Sequence, residues 1–366
     1  MDPRIYLDNN ATTFLDPRVK EAMIQSLLLQ GNPSSVHSYG QEAKAALNRS
    51  RRTIADYLGV KPSEILFTSG GTEGLNMLLR GYPRGHIVTS SVEHACVYET
   101  IKALGPATFI QPGLRGAPRP EEVEKAITSH TTLIATMAVN NETGVKTDIA
   151  GIASLAKQRK IPFVVDAVCW LGKEPIEIPP GVTAMAFSGH KFHAPKGVGF
   201  VYIRSSSAVD SLLLGGVQEY GKRGGTENLP GIVGMAEAIR CLDDSSTQRM
   251  QFLRDKLETK LLSLGDVTVN GQAPRVCNTS NLSFKGVEGE TLLTKLDLAG
   301  IAVSHGSACS SGALEPSRIL LNMGIPREEA ASSIRISLSR FTTEEEIDRA
   351  CEAISTLVRS SRAMRQ

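Results

Sequence analysis

The stretch that decides the fold is Phe187-Ser188-Gly189-His190-Lys191-Phe192-His193-Ala194-Pro195-Lys196-Gly197-Val198-Gly199. Apolar runs lead into it over residues 182–187 and leave it over residues 199–203. The pattern therefore predicts a strand, a turn that exposes Lys191, and a second strand. A lysine among small residues suits covalent capture of an aldehyde, since Schiff-base chemistry needs an uncharged amine, which burial or a nearby positive charge favours. A solvated turn lysine is the alternative, and a metal site at His190 and His193 is disfavoured because a cation separates them.

Strands alternate with helices on the N-terminal side of this hairpin. The pattern predicts strands over residues 65–68, 86–89, 132–139 and 163–165, and helices from about Thr72, over about 94–104 and over about 148–159. Such alternation is typical of an α/β fold with a mostly parallel sheet that helices cover on both faces. Ligands bind at the carboxyl ends of the strands in that architecture.

The two ends of the chain follow other patterns. Residues 5–7 are a predicted strand, Asp16 and Pro17 are suited to begin a helix, and a helix over about 41–58 is predicted to end at Gly59. Beyond residue 228 we predict helices over about 231–241, 248–264, 290–298 and 343–358, strands over 281–284 and 334–338, and a frayed tail over 360–366. We therefore predict a large domain over residues 14–245 and a smaller α+β domain formed by residues 1–13 and 246–366.

Composition excludes several classes of function. A chain of 366 residues is long enough for two domains, and a net charge of +2 predicts no binding to nucleic acid or membranes. The first residues resemble neither a signal peptide nor a transit peptide, and no apolar run is long enough to span a bilayer. The six cysteines are scattered without a CxxC pair, which predicts a cytoplasmic protein. They are Cys96, Cys169, Cys241, Cys277, Cys309 and Cys351.

A glycine-rich segment, Thr68-Ser69-Gly70-Gly71-Thr72-Glu73-Gly74, joins a predicted strand to a predicted helix. Glycines allow close backbone approach, and the start of a helix offers free N–H groups and a positive dipole end. The segment suits phosphate, although it is neither a P-loop nor a dinucleotide fingerprint. The alternative is a tight turn without a ligand.

Two polar residues follow predicted strands. Asp166 closes an apolar strand, and a buried acid there needs a partner such as the protonated ring nitrogen of a heterocycle. His94 stands at a predicted helix start, where an imidazole suits stacking on a flat ligand or proton transfer near neutral pH. A structural ion pair or helix cap at Asp166 and a hydrogen-bonded, partly buried His94 are the alternatives.

Two further residues are suited to bind the polar groups of a ligand. Asn141 lies in the turn Val139-Asn140-Asn141-Glu142-Thr143-Gly144, although asparagine is also an ordinary turn residue. Arg335 alternates with Ile334 and Ile336 on a predicted strand, so that it points to the opposite face. A guanidinium there suits a carboxylate, and an edge-strand charge is the alternative.

The run Ser304-His305-Gly306-Ser307-Ala308-Cys309-Ser310-Ser311-Gly312 places one thiol among small residues. We expect a mobile loop with an exposed cysteine. Cysteine is usually buried, so an exposed thiol in a polar loop favours a nucleophile. The alternative is an incidental loop residue.

One explanation unites these features, namely pyridoxal 5'-phosphate acting on an amino acid. The chain resembles the NifS-type cysteine desulfurases, which are class-V, aminotransferase-like enzymes. The resemblance covers nearly the whole chain, through motifs that occur in the family's order. They are Tyr6-Leu7-Asp8-Asn9-Asn10-Ala11-Thr12-Thr13, Asn32-Pro33-Ser34-Ser35, Thr68-Ser69-Gly70, Glu93-His94, Asn140-Asn141-Glu142, Ser188-Gly189-His190-Lys191, Arg223-Gly224-Gly225-Thr226-Glu227-Asn228, Gly306-Ser307-Ala308-Cys309 and Arg340-Phe341-Thr342-Thr343.

The resemblance implies a fold-type-I transferase and assigns roles at a cofactor site. Lys191 would hold pyridoxal 5'-phosphate as a Schiff base, His94 would stack on its ring, and Asp166 would pair with the ring nitrogen. Thr226 would reach the phosphate from the other subunit of a homodimer. The phosphate would otherwise be held by Gly71, Thr72, Ser188 and His190.

The resemblance also implies the reaction. Asn141 and Arg335 would orient L-cysteine, and Cys309 would attack the substrate sulfur, which leaves a persulfide on the enzyme and releases L-alanine. Lys191, Cys309 and His94 are thus the implied catalytic residues. The sulfur would pass to an iron–sulfur scaffold or another acceptor protein.

One position departs from the family pattern. Cys169 stands where the family usually has a glutamine that hydrogen-bonds the phenolic oxygen of the cofactor, and a thiol is a weak donor. Two alternatives stay open, of which Cys169 supports only the second. One is another enzyme of the same fold, either a selenocysteine lyase or an aminotransferase, and the other is a non-catalytic sulfur-transfer partner.

Overall fold

The computed structural model describes residues 4–305 and 315–364. Its strands are β1 (Ile5–Tyr6), β2 (Ile65–Thr68), β3 (His86–Ser90), β4 (Ala107–Ile110), β5 (Thr131–Met137), β6 (Phe163–Asp166), β7 (Ala184–Ser188), β8 (Gly199–Ile203), β9 (Val267–Val269), β10 (Thr279–Phe284), β11 (Ile301–Ala302) and β12 (Ser333–Ser337). Its helices are α1 (Pro17–Ser26), α2 (Ser38–Leu58), α3 (Gly71–Arg80), α4 (Ala95–Leu104), α5 (Pro120–Ala126), α6 (Ile149–Arg159), α7 (Leu229–Arg240), α8 (Ser245–Leu262), α9 (Gly289–Leu298), α10 (Arg318–Asn322), α11 (Arg327–Ala331) and α12 (Glu344–Ala363).

A seven-stranded sheet with the order β2-β8-β7-β6-β5-β3-β4 forms the centre of the fold. Strands β4, β3, β5, β6 and β7 run parallel, whereas β8 runs antiparallel to both of its neighbours. Because β2 and β7 flank the reversed strand, β2 runs in the same direction as β7. The predicted hairpin and the mostly parallel sheet are confirmed, and the carboxyl ends of β2, β5, β6 and β7 meet at one edge.

The C-terminal part contains smaller sheets. Strands β12, β10 and β9 form an antiparallel sheet, and β1 pairs in parallel with β11. A separate apolar cluster includes Leu7, Leu257, Ile336 and Ile354, which brings the N-terminal strand together with the C-terminal elements. Met250, however, packs in the larger cluster around the central sheet. The division into domains at residues 13/14 and 245/246 therefore stays a prediction.

The structure corrects several boundaries. Helix α12 continues to Ala363, where the sequence predicted a frayed tail from residue 360. The physical reason is tertiary, because the Arg362 guanidinium donates to the carbonyls of Lys285, Leu264 and Asp266 at 2.9–3.2 Å. Helix α2 begins at Ser38 rather than near residue 41, since the His37 side chain accepts a hydrogen bond from the Gly40 amide and caps it.

Some short elements were not predicted. Strand β4 is a half-buried edge strand of four residues, and α5 has seven residues. Strands β9 and β11 and helices α10 and α11 have between two and five residues each. Elements this short carry too little periodicity for the sequence pattern to reveal them.

Asp16 links three parts of the fold. It caps α1, as predicted, by accepting a hydrogen bond from the Arg18 amide at 2.8 Å. Its buried carboxylate also pairs with Arg340, and its own amide donates to the His193 carbonyl at 3.2 Å. Hydrogen bonding to Arg18, together with the charge of Arg340, lowers the pKa of Asp16 to about 2. This one residue thus ties α1 to the turn after β7 through its amide and to the C-terminal segment through its carboxylate.

We predict that Asp16→Ala lowers the free energy of unfolding by about 3 kcal/mol, because it leaves the buried Arg340 charge without its partner. The unfolded pKa of an aspartate is about 3.9, so this stabilisation is present above pH ~4 and is lost as the pH falls toward ~2. Urea denaturation at pH 7 and pH 3 measures it. The matched control is Asp148→Ala, which removes an exposed cap of α6 and costs about 1 kcal/mol. If both variants lost the same free energy of unfolding at pH 7, the linking role of Asp16 would be contradicted.

Candidate active site

A cavity of about 200 Å³ lies at the carboxyl ends of β2, β5, β6 and β7. It collects predicted site residues that are far apart in the sequence, from the phosphate segment to Arg335. Its walls are formed by Asn10, Ala11, Gly71, Thr72, Leu75, His94, Cys96, Met137, Val139, Asn141, Asp166, Val168, Cys169, Ser188, His190, Lys191 and Arg335.

Lys191 ends a short 3-10 turn that directly follows β7. Its amine donates to the carbonyl oxygens of Asn10 at 2.5 Å and Ala11 at 3.1 Å. Thr13 donates through both its amide and its hydroxyl to the His190 carbonyl, so the N-terminal segment packs against this turn. The amine is half-buried, and the two acceptors of its hydrogen bonds are neutral carbonyl groups. A ligand with a carbonyl group that enters the cavity can therefore draw the amine away from these acceptors.

The start of α3 forms an anion cradle in the wall of the cavity. A Cβ atom added at Gly71 would lie 2.7 Å from the Val168 side chain, so the close approach of these two segments requires glycine there. Thr72 adds a hydroxyl next to free helix N–H groups. The acid in this first turn, Glu73, pairs with Arg223 at 2.9 Å, which compensates its negative charge.

Ser188 and His190 face this helix start from the end of β7 and the turn. The Nδ1 atom of His190 lies 3.2 Å from the Thr12 hydroxyl. Burial, together with the neighbouring charge of Lys191, lowers the pKa of His190 to about 4, so its imidazole is neutral at pH 7. These side chains and the helix start form a donor set for a phosphate.

Asp166 is buried at the end of β6, as the sequence predicted. One carboxylate oxygen accepts from the Val168 amide at 2.9 Å. Burial raises its pKa to about 6, even though this amide and the Lys191 charge both favour the ionised form. A cationic group bound in the cavity would stabilise the carboxylate.

His94 caps α4 with its side chain. Its Nδ1 atom accepts from the Cys96 amide at 3.2 Å and lies 3.0 Å from the Cys96 thiol. Burial lowers the pKa of His94 to about 4, and the charges of Lys191 and Arg318 add to this effect. The imidazole is therefore neutral at pH 7 with its proton on Nε2, which suits a stacking role better than storage of a proton.

Arg335 reaches the cavity from β12, opposite to the buried Ile334 and Ile336, as predicted. Its guanidinium donates to Asp8 at 2.6 Å and to the Asn141 carbonyl at 3.1 Å. Its Nε atom and the Oδ1 atom of Asn141 are buried and have no hydrogen-bond partner among the described residues. Buried polar atoms of this kind mark a place where a polar ligand fits.

Two predicted site residues are not among the described residues that line the cavity. Cys309 falls outside the described residues. Thr226 borders a separate surface hollow, together with residues 26–27, 29–33 and 227–230, and does not line the cavity of its own chain. Cys169 does line the cavity, and burial raises the pKa of its thiol.

The described residues on both sides of Cys309 lie close to the site. Ser304 exchanges backbone hydrogen bonds with Arg335 at 2.7 and 3.1 Å. On the other side, the Ser317 hydroxyl donates to the buried carboxylate of Glu142. Ser304 and Ser317, the described residues that flank Cys309 in the sequence, therefore contact Arg335 and Glu142.

No role was predicted for three residues that lie around this site. Glu93 is fully buried, its carboxyl oxygens accept no hydrogen bond within the described chain, and burial next to Asp166 raises its pKa well above the usual range. Cys96 contacts His94, and Lys173 lies beneath the Lys191 turn. A charged residue directly after the apolar run 168–172 is the one signal that could have indicated Lys173.

No cluster of three histidine, cysteine or acidic side chains suited to a metal is found in residues 4–305 and 315–364. Over the same ranges, none of the helices has the length and apolar character needed to cross a membrane. None of the five cysteines in the described part of the chain forms a disulfide.

Comparison with known proteins identifies relatives over nearly the whole chain. The aminotransferase class-V family profile matches residues 5–350. A cysteine desulfurase of Nostoc sp. strain PCC 7120 is 42% identical over 98% of this chain and 94% of that protein. The solved structure of a NifS-like protein superposes with a TM-score of 0.91 at 36% identity, covering 98% of this chain and all (100%) of the other. The structure of SspA in complex with cysteine gives a TM-score of 0.82 at 32% identity over 93% of this chain and 100% of SspA.

We predict that Asp166→Asn stabilises the ligand-free protein at pH 7.5 by roughly 1–2 kcal/mol and leaves it nearly unchanged at pH 4. The folded pKa of about 6 lies above the unfolded value of about 3.9, so the wild-type protein loses stability as the pH rises through this interval. Urea denaturation at the two pH values measures the difference. The exposed Asp56→Asn variant is the control and is expected to show no such dependence. If the free energies of unfolding of wild type and Asp166→Asn differed by the same amount at both pH values, the raised pKa of Asp166 would be contradicted.

Proposed function

The chain belongs to the aminotransferase class-V family, and from this premise we propose that it is a pyridoxal-phosphate-dependent cysteine desulfurase, which converts L-cysteine to L-alanine and passes the sulfur to an acceptor. The predicted resemblance to NifS-type enzymes and the predicted fold class are confirmed by the relatives described above. The observation that carries the proposal is one cavity that joins the Lys191 amine, the cradle at α3, Asp166 and Arg335.

The residues present fit pyridoxal phosphate. Gly71, Thr72, Ser188 and His190 provide donors for its phosphate, and Asp166 provides an acid for its ring nitrogen. His94 offers a neutral imidazole for stacking. When bound, this cofactor supplies an aldehyde for the Lys191 amine and a ring that withdraws electrons from the substrate. A protonated ring nitrogen would also offset the cost of ionising the buried Asp166.

Arg335 and Asn141 would bind the amino-acid substrate. The unpartnered Nε atom of Arg335 and Oδ1 atom of Asn141 leave one donor and one acceptor for a zwitterion. A guanidinium pairs well with a carboxylate, and an amide oxygen accepts from an ammonium. The similarity to SspA, whose structure contains cysteine, supports cysteine as this substrate.

Cys309 would receive the sulfur. Its thiolate attacks the substrate sulfur, the S–S bond forms, and the C–S bond breaks. The electron pair of the broken bond stays with the substrate carbon, which takes up a proton to give alanine. The contacts of Ser304 with Arg335 and of Ser317 with Glu142 support this role, because these two residues flank Cys309 in the sequence.

Cys169 would contact the cofactor where most of the family has glutamine. A thiol donates a weaker hydrogen bond than an amide, and this thiol is buried next to Lys191 and Asp166. We therefore propose that this enzyme binds the phenolic side of its cofactor less strongly than a glutamine-containing relative.

We also propose a cytoplasmic homodimer that serves an iron–sulfur scaffold or another sulfur-acceptor protein. Leu214 and Val217 are 88% and 89% exposed, which is unusual for side chains of this size. Leu27 is exposed as well and borders the same hollow as Thr226. Dimerisation would cover this apolar surface and would bring Thr226 to the partner's phosphate site.

We predict that Cys309→Ser abolishes formation of alanine from cysteine, because a hydroxyl cannot accept the sulfur, whereas cofactor uptake is retained. Alanine and sulfide measured after incubation with cofactor, cysteine and a thiol reductant test this. Cys241→Ala, which alters a buried thiol away from the cavity, is the control and is expected to keep full activity.

Undiminished alanine formation by Cys309→Ser would refute the role of this thiol. The same assay separates the rival enzymes. A selenocysteine lyase would release alanine from selenocysteine but not from cysteine, and an aminotransferase would release a keto acid.

A second prediction concerns the dimer. Joint substitution of Leu214→Asp and Val217→Asp is expected to convert a dimer into monomers, because it places charges in a buried apolar interface. Sedimentation velocity at micromolar concentration measures this. Leu298→Asp, at an 83% exposed position of α9, is the control and should leave the dimer intact. A wild-type monomer, or a doubly substituted dimer, would contradict the proposal.

A further inference from the structure

The ammonium group of Lys173 is buried directly beneath the turn that carries Lys191. The residue is 3% exposed, and its Nζ atom donates to the Lys191 carbonyl oxygen at 2.5 Å. Within the described part of the chain, no carboxylate forms an ion pair with it, and the ionisable groups that act on it most strongly are thiols and cations. They are Cys169, Cys277, Lys191 and Arg340. Burial lowers the pKa of Lys173 to about 8.

A tight turn places Lys173 at this position. Gly172 has a φ of +78°, and a Cβ atom on it would lie 2.7 Å from the Cβ atom of Phe192. The Lys173 amide donates to the Trp170 carbonyl at 3.1 Å and closes the turn. Only glycine allows this approach, so the backbone before Lys173 packs directly on the residue that follows Lys191.

The carbonyl of Lys173 is held from the opposite side. It accepts hydrogen bonds from the Thr247 hydroxyl at 2.7 Å and from the Cys277 thiol at 3.1 Å. Thr247 lies in the first turn of α8, and Cys277 precedes β10. Lys173 therefore joins the Lys191 turn to two segments of the C-terminal part.

Such an arrangement is costly for stability alone. A buried ammonium without a carboxylate partner is unfavourable, and an apolar side chain of the same length would fill the space without that cost. Among residues 4–305 and 315–364, the hydrogen bond that this charge donates is directed at the backbone carbonyl of Lys191. If Lys173 serves to hold Lys191 in position, both the burial of its charge and the direction of its hydrogen bond are explained.

We propose that Lys173 is a positioning residue, which fixes the backbone of Lys191 and thereby the place of its amine in the cavity. The inference rests on the proposed role of Lys191 as the residue that binds the cofactor covalently. Loss of the Lys173 donor frees the Lys191 carbonyl and leaves the α3 cradle intact, since Lys173 is not part of the cavity wall. Covalent attachment should therefore slow, whereas binding of the phosphate should persist.

The test compares two ligands on the cofactor-free protein. Pyridoxal phosphate reacts with Lys191, whereas pyridoxamine phosphate lacks the aldehyde and reports on the cradle alone. For Lys173→Met we expect at least a tenfold lower rate constant of covalent attachment at saturating pyridoxal phosphate, trapped with borohydride. The dissociation constant for pyridoxamine phosphate should stay within about twofold of the wild-type value. Lys173→Arg, which keeps a charged donor, should recover part of the rate.

Two further variants complete the design. Lys157→Met removes an exposed lysine of α6 and is expected to match the wild-type protein in both measurements. Thr247→Val removes the hydrogen bond to the Lys173 carbonyl without altering the buried charge. It should slow covalent attachment of pyridoxal phosphate by two- to fivefold. If Lys173→Met does not fold, this variant tests the positioning role of Lys173 in its place, and an unchanged rate would then contradict that role.

A folded Lys173→Met protein that attaches the cofactor at the wild-type rate would overturn this inference and leave the proposed function standing. An equal loss of pyridoxamine phosphate binding would overturn it too, because the defect would then lie in the cradle. A wild-type protein that binds neither ligand would overturn the proposed function, and this inference with it.

Discussion

The hydrogen bonds from the Lys191 amine to the carbonyl oxygens of Asn10 and Ala11 connect the sheet to the rest of the structure. Asn10 is itself held by long-range contacts, since its amide donates to the Ser337 hydroxyl and its side chain donates to Thr279. The N-terminal segment is thus fixed to β10 and β12 before it meets the turn after β7. The cavity exists because this segment covers the carboxyl edge of the large sheet, where Asp166 and Ser188 end their strands.

Burial determines the charges in this cavity. It raises the pKa of Asp166 and of Glu93, and it lowers the pKa of His94 and His190. The acids therefore lose part of their negative charge, while the histidines stay neutral at pH 7. Arginine keeps its charge at any physiological pH, so Arg335 carries a lasting positive charge in the wall. The outcome is a site suited to anions, with an amine among neutral acceptors, which agrees with a phosphorylated cofactor and an amino-acid carboxylate.

Local patterns were enough to predict much of this site. The hairpin around Lys191, the cap at Asp16 and the face of Arg335 each follow from a few neighbouring residues, and the structure has them as predicted. The extension of α12 depends on Arg362 reaching distant carbonyls, which no local pattern reveals. The position of Lys173 depends likewise on contacts between segments. The predicted role of Thr226 would require a second chain. This role and those of the other site residues came from the family resemblance and stay predictions.

The account depends most on Lys191 as the residue that binds the cofactor. Its most direct test is peptide mapping by mass spectrometry of the wild-type protein after incubation with pyridoxal phosphate and reduction with borohydride. We expect one phosphopyridoxyl group per chain, on the peptide that contains Lys191. A group on another lysine with Lys191 unmodified, or no modification beyond that of a denatured control, would contradict the account.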